Sequence, residues 1–434
     1  MSETKMNAPK LQVGAGKRMI EIPEAYLPAE NFRTIHDPIH ARAVAISNEE
    51  TVILVSLEII SLQAPEIQCI QEQIESRTGV PADHIWVCAT HSFSSPHLMP
   101  DERLGSEEMI SLRDQYRLAL QTAAADAAAE AVSTQRAAAM GCNTGFCDIV
   151  ANRDVELAEG WWIDTNGFGP TDRTVSVVSF RDTEGKLIAV MSHFGMQSSV
   201  LDQSELAGGG KAVTPDVAGT MCRMVEEALG GETIALYLIG AAGDQAPVEK
   251  AVSETFENGE RIRTDLHEKG FEICDRLAGQ LAAQVREAVE ATKFTEDAPQ
   301  IGVGKTTLTV PSKEIERELR NLKPVRSYDW RPDGEREISV EAIRIGTLAL
   351  VGVQPELCCV TGLAIRKDSP FQRTLVCTMV NGAAKYMADD RGYERFTYEA
   401  MNSMFGRGSA EMLADGSVQL LETLVDKLTK NRRD

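Results

Sequence analysis

The sequence holds no apolar run close to the length of a membrane span. Its longest apolar stretches, Thr51–Leu57 and Gly346–Val353, are strand-sized, so no membrane insertion is expected. A basic excess is missing too. The formal net charge over 434 residues is −21, which argues against nucleic acid or an anionic membrane surface as partner. A few basic residues lining a pocket for an anionic small molecule stay compatible with that charge. The stretch MSETKMNAPKLQVGAGKR at the start lacks the apolar core that a signal peptide needs. The nine cysteines are scattered; only Cys142/Cys147 and Cys358/Cys359 lie close together, and neither pair has zinc-knuckle spacing. Reduced thiols and a cytoplasmic location are expected. No Pro- or Ser-rich linker divides the chain, so residues 1–434 read as a single domain, and 43% hydrophobic residues suffice for a large core.

What is present is an alternation of strand-like and helix-like segments. Residues 11–22 read as a first strand broken by glycines. Gly14, Gly16 and Lys17 there are too closely spaced for a phosphate loop, and IGVGKTTLTV (301–310) echoes them. Strands follow at 41–46 and 52–57. Next comes a helix at 64–78, with Ile67, Ile70 and Ile74 on one face and Gly79 and Pro81 closing it, and then a strand at 85–89. Residues 107–139, Ala-rich and free of Gly and Pro, predict one long helical region. Strands are predicted at 175–180 and 187–191 around a turn at 181–185. A helix is predicted at 215–229 and a strand at 233–239. Residues 254–294 predict a charge-laced outer helix with Gly270 as a joint. Strands near 301–310 and 338–353 flank a charged loop at 323–337, a strand follows at 374–379, and an amphipathic helix covers 409–429. The order implies an α/β fold.

Several strands end in residues that carry chemistry. HIWVCATHSFSSPH (84–97) is a continuous apolar run ending in His91 among small hydroxyl residues, where α/β folds keep their crevices. Leu187–Met191 leads into Ser192-His193, Ala349–Val353 into Gln354-Pro355-Glu356, and Thr374–Met379 toward Tyr386. Two imidazoles and a carboxylate are the ligand set of a catalytic zinc with an open position for water. A strand-end histidine is as readily a hydrogen-bonded core residue, and Glu356 a helix N-cap partner after Pro355; on pattern alone that plainer reading is favoured. His36 and Asp37 form a polar knot before an apolar strand. It reads either as a second metal site or substrate loop, or as an Asp-Pro turn with surface histidines such as His40. The Trp161-Trp162 pair reads equally as core packing or as a substrate platform. Asp244 is the only charge in the small-residue loop GAAGDQAP (240–247).

Taken together, eight segments resemble the catalytic domain of the neutral (non-lysosomal) ceramidases. They are residues 12–22, IHDPIHARA (35–43), CATHSFSSP (88–96), ANRD (151–154), SHFGMQSS (192–199), GAAGDQAP (240–247), QPEL (354–357) and the Tyr-rich stretch 381–406. Their order spans nearly the whole chain. The resemblance implies a large mixed β-sheet flanked by helices, with a metal site at the C-terminal ends of strands. It implies one Zn2+ per chain, bound by His91, His193, Glu356 and Tyr386, with Arg153 and Tyr398 lining the reacting centre. Zinc would activate water, and Asp244 or His97 would carry a proton.

The chain departs from that family at Phe93, where the motif has a second histidine, at Ser95 in place of Gly, and at Ala246, where it has a serine. No length is left for an immunoglobulin-like C-terminal domain. The expectation is therefore a zinc-dependent hydrolase of an amide, ester or lactone bond in a small substrate, anionic or sugar-like; a homo-oligomer is compatible with it. The alternatives are a lyase or other carbohydrate-active enzyme on a uronate-containing substrate, with Tyr398 or His97 moving the proton and Arg153 neutralising the carboxylate, and a non-catalytic metal-binding protein.

Overall fold

The computed structural model describes residues 10–257, 260–315 and 322–431. An eight-stranded mixed sheet runs in the spatial order Ile234–Ile239, Leu187–Phe194, Thr174–Asp182, Arg136–Phe146, Gln12–Met19, His40–Ser47, Thr51–Leu57, Ile85–Ala89. Its two outermost pairs are parallel and the inner pairs antiparallel. A second sheet of Ile301–Lys313, Pro332–Ile345, Leu348–Val353 and Arg373–Cys377 lies against one of its faces. Period-two alternation builds the layers. On Ile85–Ala89, Trp86 and Cys88 join a core shared with Leu348 and Leu350 of the second sheet, while Ile85, Val87 and Ala89 face the helices. Helices Ala64–Thr78, Glu107–Ser133, Asp216–Ala228 and Lys269–Glu290 cover that outer face. Ser409–Asn431 covers the outer face of the second sheet through Leu413, Leu420 and Leu421. The result is four layers, helix–sheet–sheet–helix. Among the described residues no helix is long and apolar enough to cross a membrane.

The glycines of the first strand are explained by the long helix. A Cβ on Gly14 would lie 2.1 Å from the Ala131 carbonyl oxygen, and one on Gly16 would lie 2.3 Å from that of Ala127. Ala41, Ala43 and Ala45 on the neighbouring strand present equally small side chains to the buried stripe Ala123, Ala124, Ala127, Ala128, Ala131. Gly304 in the echo at 301–310 faces Leu420 and Leu424 in the other sheet, so the two copies share no structural role.

Three expectations are corrected. The helix predicted over 107–139 ends at Ser133, where the Ser133 and Thr134 hydroxyls both donate to the Glu130 carbonyl, and Arg136–Phe146 is a strand. Its alanines favour a helix locally, but pairing with Thr174–Asp182 places Ala138 and Met140 in the core between the sheets. Residues 254–294 are not one helix: Val252–Glu257 and Glu260–Asp265 pair as antiparallel strands, and the helix spans Lys269–Glu290. Gly270 is no joint, since its missing Cβ admits Leu201 and Ala251. The predicted loop 323–337 gives up 332–337 to the strand Pro332–Ile345.

Candidate active site

The strand Ile85–Ala89 delivers His91 in the left-handed region, φ 59°, a conformation costly for a residue with a side chain and a frequent mark of functional sites. The buried ring donates from Nδ1 to the Ile60 carbonyl at 2.7 Å and places Nε2 3.0 Å from Glu356 Oε2. That contact is close but out of line for a hydrogen bond, which leaves Nε2 without an aligned partner. Burial opposes charge on this imidazole, but the Glu356 carboxylate outweighs it and raises its pKa; in return His91 and Arg153 hold Glu356 below the ordinary range against its own burial. Glu356–Leu357 pairs in parallel with Tyr386–Met387, which brings the Tyr386 phenol to the same place. Burial, then Glu356, pushes that phenol well up.

Arg153 arrives on Val150–Glu156, a strand of a separate small sheet with Gln245–Pro247 and Trp161–Asn166. Its Nε donates to Glu399 Oε1 at 2.7 Å and its Nη1 to Gln197 Oε1 at 2.7 Å. The guanidinium lies over the rings of Tyr386 and Tyr398, 5.1 and 5.7 Å from their centroids. Gln197 Nε2 donates in turn to Glu356 Oε2 at 2.8 Å. One chain of contacts therefore runs Glu399, Arg153, Gln197, Glu356, His91. Asp154 adds a second carboxyl beside Glu399; burial, then Glu399, raises its pKa well above the ordinary range.

His193 is not in this cluster. On Leu187–Phe194 it alternates with Phe194 and points, like Met191, toward the second sheet, where Nε2 meets the Val376 carbonyl at 2.9 Å and desolvation lowers its pKa. Gln197, past the strand end, takes the place expected for it. Asp244 is buried behind the site, with Oδ1 accepting from the Cys359 amide at 2.7 Å and Oδ2 from Asn152 Nδ2 at 2.9 Å, while its own carbonyl accepts the Arg153 amide. It positions Arg153 and does not face the open cleft. His97 is half exposed and tied to Glu30 at 2.8 Å. His36 pairs with Asp37 at 2.8 Å and stacks on Phe271 at 3.9 Å, and neither touches the cluster.

A cleft of about 470 Å³ opens on the Tyr398 side of the cluster, within the size range of small-molecule sites. Tyr398 and Trp162, packed edge to face at 5.7 Å, form one wall. Asp202, Lys250 and the strand pair carrying Glu254 and Arg261 form the others. Asn402 Nδ2 donates to the Tyr398 hydroxyl at 3.2 Å, which frees the hydroxyl proton, and burial pushes the phenol up to about 12. Burial also raises Asp202 and lowers Lys250. Asp202 stands on a segment pinned by buried Asp216, which accepts the amides of Val200 and Leu201. Asp202, Lys250, Gln197 and Glu399 were not singled out by sequence. Only Gln197, among the small polar residues after a strand end, carried any signal.

The donor set does not fit the zinc site that the family resemblance implies. The orphaned His91 Nε2, Glu356 and Tyr386 are of the right kind, but the second imidazole is absent and a carboxamide stands in its position. Among the described residues no three His, Cys, Asp or Glu side chains converge as a metal site would require.

No family model and no curated protein sequence matches the chain. Its fold is similar to that of neutral ceramidase from Pseudomonas aeruginosa, with a TM-score of 0.77 at 15% identity over 97% of this chain and 75% of that one. A ceramidase complexed with C2 aligns with a TM-score of 0.73, also at 15% identity, over 97% and 76% of the two chains. The chain has a ceramidase-like fold, and the mixed sheet flanked by helices is the architecture observed.

Proposed function

We propose that this ceramidase-like fold serves a hydrolase of an amide, ester or lactone bond in a small, polar, anion-bearing substrate. The observation that carries this reading is the cleft. It is open and lined by charges of both signs, and it ends on a tyrosine whose ring backs onto a buried guanidinium. A narrow apolar slot would have suited a long acyl chain; this cleft suits a sugar or an acid. Lys250 anchors the substrate anion. Tyr398, protonated at neutral pH, donates to the reacting carbonyl oxygen, and Arg153 behind the ring favours the negative charge that develops there. Asp202, made more basic by burial, takes the proton from the attacking water and passes it to the departing nitrogen or oxygen as the bond to the carbonyl carbon breaks. No step is routed through a metal.

The test is turnover on a panel of acyl-amides, lactones and esters that carry a carboxylate. Tyr398→Phe is expected to lower kcat by about 100-fold or more. Lys250→Met should raise KM with kcat little changed, as loss of uniform binding does. Full activity in both Tyr398→Phe and Asp202→Asn would sink the proposal. A second reading is favoured by Lys250 and Arg261 in the cleft wall: elimination from a uronate, with Tyr398 moving the proton. The carboxylate would then sit on Lys250, since Arg153 is committed to Glu399 and Gln197. A product with new ultraviolet absorbance from a conjugated double bond would select it.

A further inference from the structure

We infer that Gln197 closes this centre to a metal ion and that Arg153 supplies the positive charge a metal would otherwise bring. The inference holds whichever bond is cleaved in the cleft. A ligand must offer a lone pair to the ion. The acceptor atom of Gln197, Oε1, is turned to Arg153 Nη1 at 2.7 Å, and the atom turned to Glu356 Oε2, at 2.8 Å, is Nε2, a donor with no lone pair to give. Read the other way round, the carboxamide would set its NH2 against a guanidinium that can only donate, so the network itself fixes its orientation. The one carboxylate of the set is met from two sides, by Gln197 and by His91. The fixed cation is held from behind by Glu399, wholly buried, with Arg153 Nη2 2.6 Å from Glu399 Oε1. It packs against two phenol rings, those of Tyr386 and Tyr398.

His193 does not supply the missing donor. Its Nε2 is engaged with the Val376 carbonyl, and its ring faces the space between the sheets together with Asp172 and Arg366. An imidazole at position 197 would change the balance, because it would add a neutral nitrogen lone pair beside His91 and Glu356. Gln197 is thus the residue that decides between an ion and a guanidinium.

The experiment measures zinc on the purified full-length chain by inductively coupled plasma mass spectrometry after dialysis, and zinc binding by titration calorimetry. The wild type is expected to retain well under one zinc per chain. Gln197→His is expected to take up one equivalent and to bind zinc at least about 100-fold more tightly, given that even outer-shell partners of a metal carry 10–100-fold. Gln197→Glu, nearly isosteric and adding an anionic oxygen, should also gain zinc and covers the case in which the histidine variant does not fold. Stoichiometric zinc in the wild type that His91→Ala removes would overturn the inference. So would a folded Gln197→His and a folded Gln197→Glu that both bind zinc no better than the wild type. None of these readouts depends on turnover, so they separate this inference from the hydrolase proposal.

Discussion

Arg42 and Arg153 are both buried and both paired with buried carboxylates, and their surroundings differ in kind. Arg42, 2% exposed, donates from Nε to Glu226 Oε1 at 2.8 Å and from Nη1 to Glu58, while Lys17 adds a second cation on Glu226 at 2.7 Å. Glu226 also accepts the Ala235 amide, and Glu58 accepts the His40 amide. Arg153 has carboxylates beside it too. Its neighbourhood nevertheless leaves His91 Nε2, Gln245 Oε1 and Asn402 Oδ1 without partners, along with carboxyl oxygens of Asp154 and Glu399. The first cluster leaves no buried polar atom of Arg42, Glu58 or Glu226 without a partner. The second keeps unspent hydrogen-bonding capacity next to an opening of about 470 Å³. A buried polar atom without a partner is costly, so a structure that retains several in one place has them there for something other than stability.

The largest effect expected from this contrast is on Arg42. Arg42→Met strands two buried carboxylates and should cost about 3–5 kcal/mol, measured by urea unfolding. Arg153→Met should cost less, because a thioether keeps contact with the tyrosine rings and only one paired carboxylate, Glu399, is stranded. It should instead lower turnover in the cleft by about 100-fold or more. Equal stability losses together with unchanged turnover in Arg153→Met would erase the distinction between the two clusters.

Asp244 sharpens the comparison through pH. Desolvation pushes its carboxyl up to about 7, whereas an unfolded chain titrates the same group near 4. Between those values the folded state still holds a proton that the unfolded state has released. Stability therefore falls as pH rises from about 4 to about 7, by an amount on the order of a few kcal/mol. The Arg42 side behaves oppositely: Arg42 and Lys17 hold Glu226 below its ordinary value despite burial, so it stabilises at neutral pH and loses that contribution in acid. Asp244→Asn should flatten the decline of the unfolding free energy between pH 5 and pH 7, whatever it does to the absolute value. An unchanged pH profile would mean that the Asp244 carboxyl titrates normally.

Much of this was legible from the chain, and the misses have physical reasons. Helix Ala64–Thr78 and strand Ile85–Ala89 follow from apolar spacing and from the Gly79 cap, whose φ is 73°. His91, Glu356, Tyr386, Arg153 and Tyr398 do come together, although they arrive on different elements: His91 just past Ile85–Ala89, Glu356 and Tyr386 on two short paired strands, Arg153 in the middle of Val150–Glu156 and Tyr398 at the start of a short helix. His193 fails because a strand has period two: a residue one step from the end, on the face toward the second sheet, cannot also face the cluster. The cleft was missed along with its wall. Asn258-Gly259, a strong hairpin signal between alternating residues, falls inside the helix that the charge-laced pattern of 254–294 predicts. The strands on either side of that pair carry Glu254 and Arg261 to the opening. Lys250 and Asp202 lack any local pattern, since long-range packing alone places them.

The smallest expected effect falls on His97, one of the two proton carriers that the sequence offers beside the reading of a surface histidine. His97 lies close in sequence to His91, yet its Nδ1 is spent on Glu30 Oε2 at 2.8 Å and its side chain is 42% exposed. The Glu30 carboxylate also accepts the His97 backbone amide at 2.5 Å, and that bond survives loss of the ring. His97→Ala therefore removes a half-exposed side-chain contact with Glu30 and little else, which is worth about 0.2–1 kcal/mol in folding. Turnover should be unchanged, because the imidazole neither lines the cleft nor touches the Arg153 chain of contacts. A drop in kcat of ten-fold or more, with stability preserved, would place His97 in the reaction after all. It would mean that the loop between His91 and His97 closes over the cleft when substrate binds.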